Sequence, residues 1–159
     1  MTVLTVARYL WAAPATCVGL VAAGVALASG GRARVVDGVI EVHGGRLAAA
    51  VDRLPAGARF VAITIGHVIL GTAPEVLAVV RRHEHAHVRQ YERWGPLFFP
   101  LYAGASLVAW LCARHPYWHN HFERQARHAA EAEEEVIHGR SQDEGDAGEC
   151  RRLPAGDVG

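Results

Sequence analysis

From Tyr9 to Ser29 the chain carries no formal charge, and Leu, Val and Ala fill most positions. Arg8 precedes this run, and Arg32 and Arg34 follow it. A helix of that length crosses the roughly 30 Å hydrocarbon core of a bilayer. Pro14, Gly19 and Gly24 weaken a helix in water but are tolerated in a membrane helix. Residues 1–31 are therefore expected to form a single N-terminal anchor in the cell membrane. The rival is a cleaved signal peptide, because Ala26-Leu27-Ala28 has the small-x-small form of a cleavage site. The apolar run exceeds a usual signal core, and a single arginine precedes it, which favours the anchor. Arginines on both sides leave the orientation open.

The pattern then changes period. Arg34-Val35-Val36 and Val39-Ile40-Glu41-Val42 flank Asp37-Gly38, the strongest short-range hairpin signal, and Gly44-Gly45 closes the unit. Phe60 to Ile65 is a second β-rich run ended by Gly66, and Gly71 and Pro74 mark the next break. Residues 32–72 thus predict a small antiparallel sheet. Pro74 suits the first turn of a helix, with Thr72 a candidate cap just upstream. That helix is expected over Pro74–Trp94, stopped by Gly95-Pro96. Leu97 to Cys112 is again apolar and uncharged, and a last helix is expected from Trp118 or Asn120 to about His138. Glu131, Glu133, Glu134 and Glu135 make its far end a solvated face. Residues 139–159 are polar, with little to bury, and read as a disordered tail.

Composition narrows the class. A chain of 159 residues, 51% hydrophobic and 20% charged, is long enough for one α+β domain, placed here at residues 32–138. Sixteen basic residues, all arginine, balance sixteen acidic ones, and the pI near 7.2 argues against a nucleic-acid partner. Cys17, Cys112 and Cys150 form neither a disulfide framework nor a cysteine zinc knuckle. Ten histidines are the unusual feature, six of them between His83 and His121.

His83-Glu84-His85-Ala86-His87 contains His-Glu-x-x-His. On a helix, positions i and i+4 share one face, so His83 and His87 can bind one cation through their imidazoles. Zinc suits two imidazoles and a carboxylate. Glu84 flanks the pair and can accept a proton from an attacking water. The competing reading is a histidine cluster without metal. The i, i+4, i+7, i+8, i+11 spacing of His83, His87, Gln90, Tyr91 and Trp94 places them together on one face, which supports the metal reading. His85 points away from the pair and reads as a surface or interface histidine.

On these residues the chain resembles the zincin metallopeptidases: His83-Glu84-x-x-His87 on a helix, preceded by a strand such as Phe60 to Ile65. It does not resemble the metzincin branch, whose glycine and third histidine are replaced by Gln90 and Arg93. It looks more like the gluzincin branch, in which a glutamate on a later helix is the third ligand. Asn120-His121-Phe122-Glu123-Arg124-Gln125-Ala126 fits that pattern, with a small alanine three residues after Glu123. The stretch is also similar to small membrane proteins with His-x-x-x-His-x-x-Gln-Tyr followed by Phe-Glu-Arg. The resemblance covers about residues 60–135 and is silent on substrate.

Glu123 has rivals as third ligand in His119 and His121, with His115 not far. Asn120 can instead cap the helix, with Glu123 completing a capping box and no metal role. Tyr91, Tyr102 and Tyr117 are candidates to steady a tetrahedral intermediate. His67 lies on a loop that can reach the site. If Leu97–Cys112 crossed the bilayer, His83 and His87 would be parted from Glu123. That segment is therefore expected to be a buried core helix or a membrane-dipping one, with Pro96 and Pro100 suiting a bent start. The expected function is zinc-dependent hydrolysis of a peptide or protein at a membrane surface, with lipid as a second partner. The alternative is a catalytically silent metal-binding scaffold or interaction protein.

Overall fold

The computed structural model describes residues 3–55 and 59–150, with side chains to residue 137. The elements run α1 (Val3–Ala28), β1 (Gly31–Val36), β2 (Val39–Gly44), α2 (Leu47–Asp52), β3 (Ala62–Ile65), β4 (Val68–Gly71), α3 (Pro74–Trp94), α4 (Phe98–Leu111) and α5 (His121–Cys150). The class is α+β.

Asp37 and Gly38 both take positive φ, at 50° and 79°, as a two-residue type I′ turn requires, and β1 pairs antiparallel with β2 across it. Gly66, with φ of 63°, turns β3 antiparallel onto β4. The expected antiparallel sheet needs correction. Strand order is β1-β2-β4-β3, and the central pair, β2 with β4, is parallel. The physical reason is the connection after β2. A parallel pair needs a long crossover, and the stretch carrying α2 provides it, setting β3 at the far edge and letting β4 fold back between.

Alternation along the strands gives the sheet two apolar faces. Val42, Val68 and Leu70 pack on Ala23 and Ala26 of α1. Val39 and Ile69 pack on Leu77 and Val88 of α3. The sheet is therefore sandwiched between α1 and α3. Small residues let α1 come close: Ala12, Gly19, Ala23 and Ala26 are its buried positions. A Cβ at Gly19 would collide with the Ile65 carbonyl oxygen and Val68. The far side of α1 exposes Leu10, Val18, Val21 and Val25. Its 26 residues are long and apolar enough to cross a membrane.

α3 occupies the expected span, with Pro74 in its first turn. Its cap differs: the position falls on Ala73, which has no polar side chain to accept a helix N–H, and the Thr72 hydroxyl one residue earlier donates to the Val61 carbonyl at 3.2 Å. Gly95, at φ of 56°, ends the helix under the Trp11 ring. α5 starts at His121 rather than Trp118. Asn120 caps it, accepting the Phe122 N–H at 2.8 Å and donating to the Tyr102 carbonyl at 3.0 Å and Ser106 Oγ at 2.7 Å. α5 continues to Cys150, past the end expected near His138. Of the polar tail expected over 139–159, residues 151–159 lie outside the described residues.

Candidate metal centre

One helical turn on α3 and the first turn of α5 supply the centre. His83 and His87 are four residues apart, so their rings share a face. The Asn120 cap fixes where α5 begins, and Glu123 follows in its first turn. The Nε2 atoms of the two histidines are 3.2 Å apart. Glu123 Oε2 lies 3.2 Å from His83 Nε2, and Oε1 lies 3.3 Å from His87 Nε2. His87 and Glu123 are buried and His83 is half-buried. This group could hold a metal ion.

The donor set fits such an ion. Two imidazole nitrogens and a carboxylate are donors that zinc accepts, and one ligand atom from each residue lies within 4.8 Å of the others. Glu123 Oε2 is buried and receives no well-directed hydrogen bond. Burial alone would raise the Glu123 carboxyl. Its close contacts with His83, His87 and Tyr102 outweigh burial and hold it well below the usual carboxylate range. A charged carboxylate is thus kept where a cation would sit.

The surrounding side chains orient the three donors. Gln90 faces His87 Nδ1 through Oε1 at 2.9 Å, and donates through Nε2 to the Phe122 carbonyl and Gln125 Oε1, both at 3.0 Å. The Phe122 carbonyl can only accept, so the Gln90 amide nitrogen must face it and its oxygen must face His87. His87 then carries its proton on Nδ1 and turns the Nε2 lone pair to the centre. Tyr102 of α4 donates to Glu123 Oε1 at 2.8 Å. The Asn120 N–H goes to the Tyr117 carbonyl, so Glu123 does not close a capping box.

Glu84 is buried beside the trio and outside it. Thr64 Oγ1 of β3 donates to Glu84 Oε2 at 2.7 Å. That bond occupies one carboxylate oxygen and leaves the other free to accept a proton. Burial and the nearby Glu123 carboxylate push the Tyr117 phenol up to about 12.

The other candidates go elsewhere. His115 Nδ1 accepts the N–H groups of Tyr117 and Trp118, and His119 and His121 are exposed. Tyr91 packs on Phe98 in the core, with ring centroids 4.4 Å apart. Trp94 is exposed instead of joining the inward face. His67 is buried at the β3–β4 turn between Thr16 and Glu92, at 3.1 and 3.2 Å, with Tyr9 stacked on it. It fastens α1 to α3 and does not enter the centre. His85 is half-buried with an unpartnered Nε2. Of the orienting residues, Thr64 had no signal in the sequence, Gln90 was placed on the His83–His87 face without a role of its own, and Tyr102 was named only as a candidate to steady an intermediate.

No protein-family model, curated protein or solved structure matches this chain.

Proposed function

We propose that the protein is a zinc-dependent, membrane-associated metallopeptidase that hydrolyses a peptide or protein substrate. The convergence of His83, His87 and Glu123 beside a buried carboxylate, Glu84, carries this reading. A bound zinc ion would act as a Lewis acid and bring the pKa of its water to roughly 7. His83, His87 and Glu123 would hold it. Glu84 accepts a proton from the attacking water and passes it to the leaving amine. Thr64 keeps the Glu84 carboxylate turned to one position throughout. β3 pairs with β4 on one side and is an edge of the sheet, so an extended substrate can add antiparallel to it.

α1 is the membrane anchor in this reading. Its close packing on Ile65 and Val68, and the Thr16–His67 contact, support its retention in the mature chain. The test is Glu84→Gln, assayed with a fluorogenic peptide library. Loss of a general base lowers the rate by about 10²–10⁴-fold, and zinc content should not change. A Glu84→Gln protein cleaving at the wild-type rate would end the mechanism. The second reading, a metal-stabilised scaffold, draws on the way the donors bridge α3 and α5. It predicts zinc binding that raises Tm without hydrolysis by the wild-type chain.

A further inference from the structure

We propose that α4 is immersed in a single leaflet of the bilayer, entering and leaving it on one side, so that the metal centre lies at the membrane surface. The chain from Leu97 to Cys112 carries no charge. Only Phe98 and Ala109 of α4 are buried within the protein, so a core helix is ruled out. Phe99, Leu101, Leu107, Val108, Trp110 and Leu111 are between 40% and 71% exposed. At 100° per residue they spread over about 200° of the helix surface. A partner helix covers a stripe of roughly 100°, whereas an apolar solvent covers all of it, and a helix apolar over such an arc belongs in a core or a membrane. The occupant is therefore the acyl region of a lipid bilayer. The inward stripe is different in kind: Phe98, Tyr102 and Ala105 pack against Ala12, Ala15 and Phe122.

Two further observations set the geometry. Fourteen residues make a helix about 21 Å long, short of the roughly 30 Å hydrocarbon core. His83 and His87 precede α4 and Glu123 follows it, yet their donor atoms lie within 4.8 Å. Both ends of α4 are thus on one side of the membrane. α1, whose Ala12 and Ala15 touch the inward stripe, continues the apolar surface. Tyr102 joins the lipid-immersed helix directly to Glu123. If the centre is hydrolytic, as proposed above, its substrates are polypeptide segments presented at the bilayer surface. The location itself does not rest on turnover.

The test uses the full chain in nanodiscs, with Cys17, Cys112 and Cys150 changed to serine and single spin labels at positions 99, 108 and 111. Accessibility to oxygen and to a water-soluble nickel chelate reports depth. The expected result is oxygen-accessible, nickel-shielded labels at all three positions, none deeper than about 15 Å, the half-thickness of the core. A label at Val136, exposed on α5, should be nickel-accessible. Nickel access at position 108 would overturn the proposal. So would immobilised labels with mutual broadening, which would show a second copy covering α4, or depths running past the midplane, which would show a crossing helix. Quenching of Trp110 by brominated lipids in the unlabelled chain, set against Trp110→Phe, repeats the test without the cysteine changes. An unquenched Trp110 contradicts it. All these readings hold whether or not the protein cleaves a peptide.

Discussion

Gln90→Leu should weaken metal binding and loosen the α3–α5 contact at once. The side chain is buried and makes three polar contacts, to His87 Nδ1, the Phe122 carbonyl and Gln125 Oε1. Leucine fills a similar volume but leaves the His87 Nδ1–H without a partner and strips the Phe122 carbonyl of its second hydrogen bond. Each unsatisfied buried group costs about 1–3 kcal/mol, and the added apolar burial returns roughly 1 kcal/mol. A net loss of about 1–5 kcal/mol lowers the Tm of a chain this size by roughly 2–20 °C. Freed from Gln90, the His87 ring can rotate or change tautomer, which costs about 10–100-fold in metal affinity. Zinc affinity, measured by competition with a chromophoric chelator, and the Tm of the metal-free protein report the two effects separately. Gln90→Glu divides them: it still accepts from His87 but repels the Phe122 carbonyl, so it should lose stability and keep affinity. Wild-type zinc affinity in Gln90→Leu, with only a lower Tm, would refute the claim that Gln90 orients His87.

Glu123→Ala should abolish tight zinc binding, and Glu123→His should restore part of it, because imidazole is also a good zinc donor; chelator competition on both checks this. Leu77→Ala, at a fully buried position between the sheet and α3, should cost about 2–5 kcal/mol in denaturant unfolding. Gly19→Leu should separate α1 from the sheet and lower Tm, whereas Gly24→Leu, inside the same helix at a position with open space around it, should not lower Tm. Glu41 is fully buried; burial raises its carboxyl, but the hydrogen bonds and charges of Arg81 and Arg34 prevail and lower it. A depressed folded pKa adds stability above the unfolded value, near 4.3, and that stability is lost as pH falls through the folded value. Tm of the wild type minus that of Glu41→Gln should therefore shrink as pH drops from 6 toward about 3.

What could be read from the sequence was what adjacent residues decide. Pro74 and Gly95 bracket α3 because one pre-sets helical φ and the other takes a positive φ that ends it. Asp37-Gly38 makes its turn for the same local reason. The pair His83 and His87 follows from helical period alone. The parallel pairing of β2 with β4 could not be read, since it depends on where a long crossover delivers the chain. Thr72 failed as a cap because the cap position falls one residue later, on Ala73, while its own hydroxyl turns to the Val61 carbonyl, distant in sequence. The sheet-facing side of α1 was hidden too, because a helix apolar all round gives no sign of which side packs on protein. Glu123 was reached by resemblance, but Tyr102 and Thr64, which hold Glu123 and Glu84, come from segments whose own patterns say nothing about the centre.

Zinc stoichiometry is the most direct test of the centre. Protein purified in detergent, saturated with zinc and freed of excess, should retain about one equivalent per chain. His83→Ala, His87→Ala and Glu123→Ala should each lose it, Glu84→Gln should keep it, and the His119→Ala and His121→Ala proteins should match the wild type. Full zinc occupancy in Glu123→Ala, or none in the wild type, would contradict a centre built from His83, His87 and Glu123.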